Sequence, residues 1–332
     1  MPDHPARPRI GASFPTHFNV TLNPSFTYTL DDLRERTFTG TSLAVVGFPV
    51  RHSISPAMHN AAIADLCERN NRFKDWTYYR FEIPPESLPE ALELFHRKGF
   101  LGLNLTIPHK VDVLPLLKGC SDDARRMGAA NTLVWGELGY EGFNTDGYGL
   151  ERALAKDLGI GIANTPILLL GAGGAARAAA VHCLKAGCSA LWVANRSPER
   201  LSALLDALEP VRKSIPVHGV ALSGHDLPAL PKRGVLVNAT SLGLKATDPL
   251  HFDPALLPND WSVLDMIYNP TETALLRAAA SAGLRAANGL GMLVFQGVRS
   301  LEIWSRERVS DHVMMTAACH TLKLPPRYVD NF

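Results

Sequence analysis

The tightest constraint on the fold sits in the middle of the chain. Four apolar residues, Ile167 to Leu170, run straight into GAGGAAR (Gly171 to Arg177), and an alanine-rich stretch follows to Lys185. A continuous apolar run of that length reads as a strand buried on both faces, the condition of a parallel sheet covered by helices. Gly171, Gly173 and Ala176 form G-x-G-x-x-A. The first glycine permits a tight turn, the second lets backbone approach a pyrophosphate, and the small third residue allows close helix–strand packing. Free N–H groups and the helix dipole then face the anion. The pattern alone also fits a tight turn without a ligand; its place between a strand and a helix favours a dinucleotide. Gly171, Ala172, Gly173, Gly174 and Ala175 are therefore candidate cofactor contacts.

The end of the next strand selects the dinucleotide. NAD sites place an acidic residue there, on the ribose 2′-hydroxyl. This chain has Asn195-Arg196-Ser197, with Arg200 close behind. A carboxylate would repel a 2′-phosphate, whereas a guanidinium holds one in a bidentate fork. The expected cofactor is NADP(H).

Around this unit the pattern is α/β throughout. In the first half, SLAVVG, TYYRFEI (77–83) and LGLNLT (101–106) read as strands. A helix is expected to open at Ser55-Pro56, with Ser55 as N-cap and Pro56 at the first helical position. An amphipathic helix is expected over 86–98, and a helix after Pro108. ANTLVW (130–135) and YEGFN (140–144) read as paired short strands. In the second half ALWVANR, VHGVAL, VLVNAT and VLDMIY are strand candidates, and Met292 to Arg308 reads as a long amphipathic helix. Before Ser42, Pro2, Pro5, Pro8 and Pro15 break regular structure. Phe18 to Tyr28 alternates as an edge strand or a tail would, and Thr29 with Asp32 marks a short helix at 30–36.

Composition removes several classes. With a net charge of +1 there is no global field to attract nucleic acid or an anionic membrane. No apolar run approaches the roughly 20 residues of a membrane span. MPDHPARPRI lacks an apolar signal segment, so a cytoplasmic setting is expected. The five cysteines form no C-x-x-C pair, which argues against a disulfide framework and a zinc site; no metal is expected.

Four polar clusters fall at strand ends or strand–helix junctions, where open α/β sheets build ligand sites. They are His52 to Pro56, Asn104 to Lys110, Gly128 to Thr132, and Asn144 to Gly147. They offer hydroxyls, amides, one lysine and one carboxylate, a set suited to a small polyhydroxylated acid. Reducing a ketone by hydride transfer leaves negative charge on oxygen, which a lysine ammonium can stabilise and protonate. Lys110 and Asp146 are the candidate pair. Singly these residues also have plain structural uses, Ser53 and Ser55 as turn and cap residues and Asn104 as a satisfier of backbone at a strand end.

With those stretches in view, the chain resembles the shikimate dehydrogenases from about Ser42 to Ser305. The resemblance is carried by VVGFPVRHSISPAMHN, GLNLTIPHK, GAANTL, NTDGYG, GAGGAAR, NRSPER, VNATSLG, DMIYNP and NGLGMLVFQG. It implies an α/β, two-domain protein. An N-terminal α/β substrate domain (41–146 with 289–332) is completed by returning C-terminal helices, and 147–288 forms a doubly wound, Rossmann-type NADP-binding domain. Residues 1–40 are left as an extension without an assigned role. The resemblance implies reversible, NADPH-dependent reduction of 3-dehydroshikimate to shikimate, a step of aromatic amino-acid and chorismate biosynthesis, by a monomer or homodimer. It implies catalysis by Lys110 and Asp146. Substrate would bind through Ser53, Ser55 and Tyr268 at its carboxylate and Thr106, Asn131, Asp146 and Gln296 at its hydroxyls; Asn104 is a further candidate contact from its place at a strand end, with a structural role equally expected. Cofactor would bind through the glycine loop, Asn195, Arg196, Ser197, Arg200, Thr240, Met266 and Gly289. A quinate or aminoshikimate dehydrogenase, or a ligand-sensing regulator without turnover, are the alternatives; a regulator is expected to lack Lys110, Asp146 or the glycine loop, and all are present.

Overall fold

The computed structural model describes residues 22–222 and 229–328. The expected breaks at Pro2, Pro5, Pro8 and Pro15, and the alternating stretch from Phe18 as far as residue 21, lie outside them. The first sheet has seven strands: β1 (Thr27–Tyr28), β2 (Thr41–Gly47), β3 (Trp76–Glu82), β4 (Gly102–Leu105), β5 (Gly119–Cys120), β6 (Thr132–Gly136) and β7 (Gly139–Phe143). Their spatial order is β1-β3-β2-β4-β6-β7-β5. Pairing is parallel from β1 through β4 and antiparallel at β4–β6 and β6–β7. β2 shows why the sheet needs cover on both sides. Leu43 and Val45 enter one core, Ala44 and Val46 the other, the two-residue alternation of a strand with two buried faces.

The second sheet has six parallel strands: β8 (Pro166–Leu170), β9 (Ala190–Asn195), β10 (Val217–Ala221), β11 (Arg233–Asn238), β12 (Asp260–Asp265) and β13 (Arg285–Ala287). The order β10-β9-β8-β11-β12-β13 is the doubly wound order expected of a dinucleotide-binding unit. β8 again divides its apolar residues, Ile167 and Leu169 to one side, Leu168 and Leu170 to the other.

The helices are α1 (Leu30–Glu35), α2 (Ser55–Arg69), α3 (Leu88–Arg97), α4 (His109–Asp112), α5 (Asp122–Met127), α6 (Asp146–Leu158), α7 (Gly174–Lys185), α8 (Pro198–Arg212), α9 (Ala274–Ser281), α10 (Leu290–Ser305) and α11 (Asp311–Leu322). α6 leads from the first sheet to the second, and α10 returns. They cross closely at Gly149, where an added Cβ would lie 2.7 Å from the Met292 carbonyl oxygen and 3.0 Å from Gln296 Cβ. α10 and α11 then close one face of the first sheet, with Leu290, Val294, Met314 and Met315 packed beside Leu43, Val45 and Met58.

The capping box expected at Thr29 and Asp32 forms, and opens α1. One expectation is corrected. Ser55 is not an N-cap: Ile54 holds that position, Ser55 is the first helical residue, and no side-chain cap bond forms. Pro56 has no N–H to cap, and the Ser55 N–H is taken by Ser53 Oγ at 3.3 Å. The helix expected after Pro108 forms as α4; it is a single turn, because Pro115 follows inside a 3-10 segment at Leu114–Leu116. β13 and α11 were not singled out; β13 has only three residues, too few for a periodicity to show.

Candidate active site

Both sheets reverse their winding beside a central strand, and ligands of open α/β sheets lie outside the carboxyl ends of strands at such points. In the first sheet the reversal falls between β2 and β4, whose ends release the Val50–Ser55 and Thr106–Lys110 stretches. In the second it falls between β8 and β11, whose ends release the glycine loop and Ala239–Thr240. The two crevices adjoin: a Cβ on Gly174, first residue of α7, would lie 3.7 Å from Val111 Cγ2, next to Lys110.

Lys110 Nζ donates to Asp146 Oδ2 at 2.7 Å, with the two side chains 30% and 12% exposed. α4 projects the lysine and α6 begins at the aspartate. Asn131, 1% exposed, donates through Nδ2 to Asp146 Oδ1 at 2.8 Å and to Thr145 Oγ1 at 3.0 Å. Its Oδ1 accepts from the Thr145 N–H at 2.8 Å and from Thr132 Oγ1 at 3.0 Å. Gln296 Oε1 lies 3.4 Å from Asn131 Nδ2, which brings α10 to the same spot. The Asp146 N–H is held by Asn144 Oδ1 at 3.0 Å. A carboxylate with both oxygens engaged in this way has a fixed orientation, and so does the ammonium it holds.

Asn104 stands differently. Its Oδ1 accepts from Tyr78 Oη at 2.7 Å, and its Nδ2 donates to the Asn131 carbonyl, Thr132 Oγ1 and Ser300 Oγ. At 6% exposure, with both amide ends engaged, it supports Asn131 and Thr132 from beneath. Ser300, Thr132 and Thr145 complete this buried network, with Ser300 Oγ donating to the Gln296 carbonyl at 2.9 Å. Sequence reading missed all three. Thr132 and Thr145 lay inside the polar clusters, but Ser300 lies mid-helix among apolar residues and gave no local signal.

Ser53 and Ser55 line the loop after β2, and Thr106 follows β4. Tyr268, just beyond β12, packs against the core cluster formed by α2 and α10, so a residue of the second unit reaches the first; burial pushes its hydroxyl pKa up.

On the cofactor side Gly171 has φ +111°, and a Cβ there would lie 3.2 Å from the Ala239 carbonyl oxygen and from Thr240 Cγ2. Gly173 differs: a Cβ there would meet nothing within 4 Å, so packing within the protein does not account for glycine at this exposed helix start. Ala176, in the first turn of α7, is fully buried. Ser197 caps α8, accepting from the Arg200 N–H at 3.3 Å, while Asn195 Nδ2 donates to the Ser197 carbonyl at 2.9 Å. Arg196 and Arg200 are exposed, and among the described residues neither forms an ion pair. Thr240 Oγ1 donates to Asn238 Oδ1 at 2.8 Å, and Asn238 Nδ2 to Asp265 Oδ1 at 2.9 Å. Asp265 also accepts from Thr273 Oγ1 at 2.6 Å; its burial outweighs these donors and raises its pKa. Asn238 and Asp265 were missed, although each is a polar residue closing an apolar strand. Gly289 is pressed against the Met266 carbonyl, which leaves no room for a side chain. Among the described residues no group of three or more His, Cys, Asp or Glu side chains is placed to hold a metal ion.

Comparison with known proteins gives two family matches. Residues 45–133 match "Shikimate dehydrogenase substrate binding domain", and residues 153–222 match "Shikimate / quinate 5-dehydrogenase". A curated relative from Geobacter metallireducens, "Shikimate dehydrogenase (NADP(+))", is 39% identical over 285 residues, covering 85% of this chain and 96% of the relative. The crystal structure of shikimate 5-dehydrogenase from Thermus thermophilus, in complex with NADP(H) and shikimate, is 35% identical with a TM-score of 0.73, covering 85% of this chain and 99% of that one. Quinate dehydrogenase from Corynebacterium glutamicum, in complex with NAD, is 30% identical with a TM-score of 0.74, covering 85% and 99%.

Proposed function

The chain belongs to the shikimate dehydrogenase family; it is an NADP-dependent oxidoreductase acting on a CH–OH group, and we propose that Lys110 and Asp146 carry its proton transfer. The reaction is the reversible reduction of 3-dehydroshikimate to shikimate. The observation that carries the assignment of roles is the 2.7 Å Lys110–Asp146 pair at the meeting of the two crevices.

The chain's residues fit an NADP-type dinucleotide. Gly173 leaves open space at the α7 N-terminus, where N–H groups and the dipole favour a pyrophosphate. Arg196, with Arg200 behind it, offers guanidinium groups at the end of β9 for a 2′-phosphate, Asn195 and Ser197 shape that loop, and Thr240, Met266 and Gly289 form the wall towards the nicotinamide. Bound there, NADPH supplies the hydride for the substrate carbonyl. Lys110 stabilises the charge that develops on the carbonyl oxygen and donates a proton to it; for oxidation of the alcohol its neutral amine accepts that proton. Asp146 orients the ammonium through their 2.7 Å contact and takes part in the same proton network. Ser53, Ser55 and Tyr268 bind the carboxylate, while Thr106, Asn131, Asp146 and Gln296 bind hydroxyls. Asn104 acts behind Asn131 as a positioning residue.

The domain assignment follows the same reading, with 41–146 and 289–332 holding substrate and 147–288 holding NADP. Packing of Tyr28, Leu33 and Phe38 into the first sheet's core supports counting residues 22–40 with the substrate domain. Among the described residues no helix is long and apolar enough to cross a membrane. A cytoplasmic monomer or homodimer is part of the proposal.

Absorbance at the nicotinamide band, with shikimate and quinate crossed against NADP⁺ and NAD⁺, tests the reading. Turnover should be strong with shikimate and NADP⁺ alone. Equal turnover with quinate or NAD⁺ would break the specificity assigned to Arg196 and the serine pair; no turnover with any combination would overturn the enzymatic role.

A further inference from the structure

The loop that carries Ser53 and Ser55 is gripped from below by one strand. Ser53 N–H closes a turn onto the Val50 carbonyl at 2.9 Å. At one end of this turn Glu82 Oε2 accepts from the Val50 N–H at 3.2 Å, and Glu82 Oε1 from Arg51 Nε at 2.9 Å. At the other end Arg80 Nη1 donates to the Ser53 carbonyl at 2.8 Å. Arg80 and Glu82 are two residues apart on β3, so their side chains leave the same face of the sheet.

The rest of the Arg80 guanidinium is held by the chain ahead of the family match, which begins at residue 45. Arg80 Nε donates to Thr27 Oγ1 at 2.8 Å and Nη2 to the Ser25 carbonyl at 2.7 Å. Thr27 is the register partner of Arg80 in the β1–β3 pairing. The segment is itself anchored. Tyr28 is 5% exposed, with its ring 5.4 Å from Phe81 and 5.8 Å from Phe38, and Leu33 is fully buried. A planar guanidinium with three N–H groups engaged in one plane has little freedom left, and it transmits the position of β1 to the Ser53 carbonyl.

We propose that Arg80, aimed by Ser25 and Thr27 of the N-terminal segment, is a positioning residue for substrate binding: it sets the Ser53–Ser55 loop in the geometry that receives the substrate carboxylate. This rests on the assignment of Ser53 and Ser55 as carboxylate contacts, and it gives residues 22–28 a task in the reaction that the sequence did not disclose. Arg80 holds the loop backbone, so it affects the capture of shikimate and leaves the hydride and proton steps alone.

The test is steady-state kinetics on full-length Arg80→Met, Arg80→Lys, Thr27→Val and Ser53→Ala/Ser55→Ala, with thermal melts to establish folding. Arg80→Met should raise KM for shikimate on the order of tenfold, as expected for loss of one charge-assisted hydrogen bond. Its kcat per folded enzyme and its KM for NADP⁺ should be unchanged. Arg80→Lys keeps the charge without the fork, so its KM should stay raised; full rescue by lysine would show that charge alone matters and would overturn the positioning role. Thr27→Val should raise KM severalfold in the same direction, and it decides the matter together with Arg80→Lys if Arg80→Met does not fold. Normal KM for shikimate in the folded Arg80 and Thr27 variants, beside a raised KM in the serine variant, refutes the proposal and leaves the carboxylate assignment standing. Normal KM in the serine variant as well would refute that assignment and the proposal with it.

Discussion

Replacing Lys110 by methionine removes the ammonium and keeps most of the aliphatic stem. The pair it breaks is intermediate in burial, with Lys110 30% and Asp146 12% exposed. Exposed pairs contribute about 0–1 kcal/mol, and breaking a fully buried pair costs about 3–5 kcal/mol. Asp146 does not become an orphan in the variant, because Asn131 Nδ2 remains on its Oδ1 at 2.8 Å. The cost to folding should therefore be about 1–2 kcal/mol, a fall in Tm of roughly 2–8 °C at the ~2–4 °C per kcal/mol of sizeable domains. Such a loss leaves the enzyme folded at 25 °C. The loss in catalysis should be larger: without a proton donor beside the developing alkoxide, kcat should fall at least ~10²-fold, or about 2.7 kcal/mol in the barrier. Initial rates of NADP⁺ reduction, set against shikimate affinity from fluorescence titration, separate the two effects. Affinity within about a factor of a few of wild type, with kcat collapsed, is the expected pattern. Turnover near wild type would refute the role given to Lys110, and a rate loss matched by loss of folded protein would refute the separation of catalysis from stability.

The remaining predictions use other parts of the site. Arg196→Asp should raise KM for NADP⁺ about 10–100-fold and favour NAD⁺, with an unchanged melt because Arg196 is exposed; an unchanged cofactor preference would show that the 2′-phosphate is held elsewhere. Gly173→Val should keep its fold, since nothing lies within 4 Å of a Cβ there, yet lose NADP⁺ binding by calorimetry. Gly171→Ala should lose stability, because φ +111° and the 3.2 Å approach to Ala239 oppose a side chain. His59, stacked on Tyr78 at 4.0 Å, has both ring nitrogens without a hydrogen-bond partner among the described residues, and burial lowers its pKa to about 3. The unfolded chain therefore binds a proton below pH ~6.5 that the native chain refuses, so stability falls as pH drops through the window down to about 3, by at most ~1.4 kcal/mol per pH unit. His59→Phe should flatten the dependence of the denaturation midpoint on pH between about 6.5 and 4.5; an unchanged slope would refute the assignment to His59.

What the sequence disclosed was local. The strand–loop–helix at Ile167 to Lys185 and the polar clusters at strand ends carry their meaning in contiguous residues, so the doubly wound sheet and the surroundings of Lys110 and Asp146 could be read from them. What it hid depends on register and long-range approach. Ser300 joins Asn104, Thr132 and Thr145 only because α10 returns across the first sheet. Asn104, which stood level between substrate contact and structural support, is drawn inward because Tyr78 and Ser300 meet both ends of its amide. The N-terminal segment was legible in part: the alternation up to Tyr28 allowed an edge strand or a tail, and β1 is an edge strand, but its pairing with β3, a partner more than fifty residues away, could not be read from adjacent residues. Asp265 and Asn238 were overshadowed by their neighbours Met266 and Thr240, although their mutual hydrogen bond ties the ends of β11 and β12 together.

Substrate is expected where the two crevices meet, against Lys110 and Asp146. A crystal structure with shikimate and NADP⁺ tests it most directly. The reacting hydroxyl should lie within ~3.2 Å of Lys110 Nζ or Asp146, with the carboxylate on Ser53 and Ser55 and the adenosine phosphate beside Arg196. Shikimate bound with its carboxylate on Lys110, or with its reacting hydroxyl turned away from that pair, would contradict it.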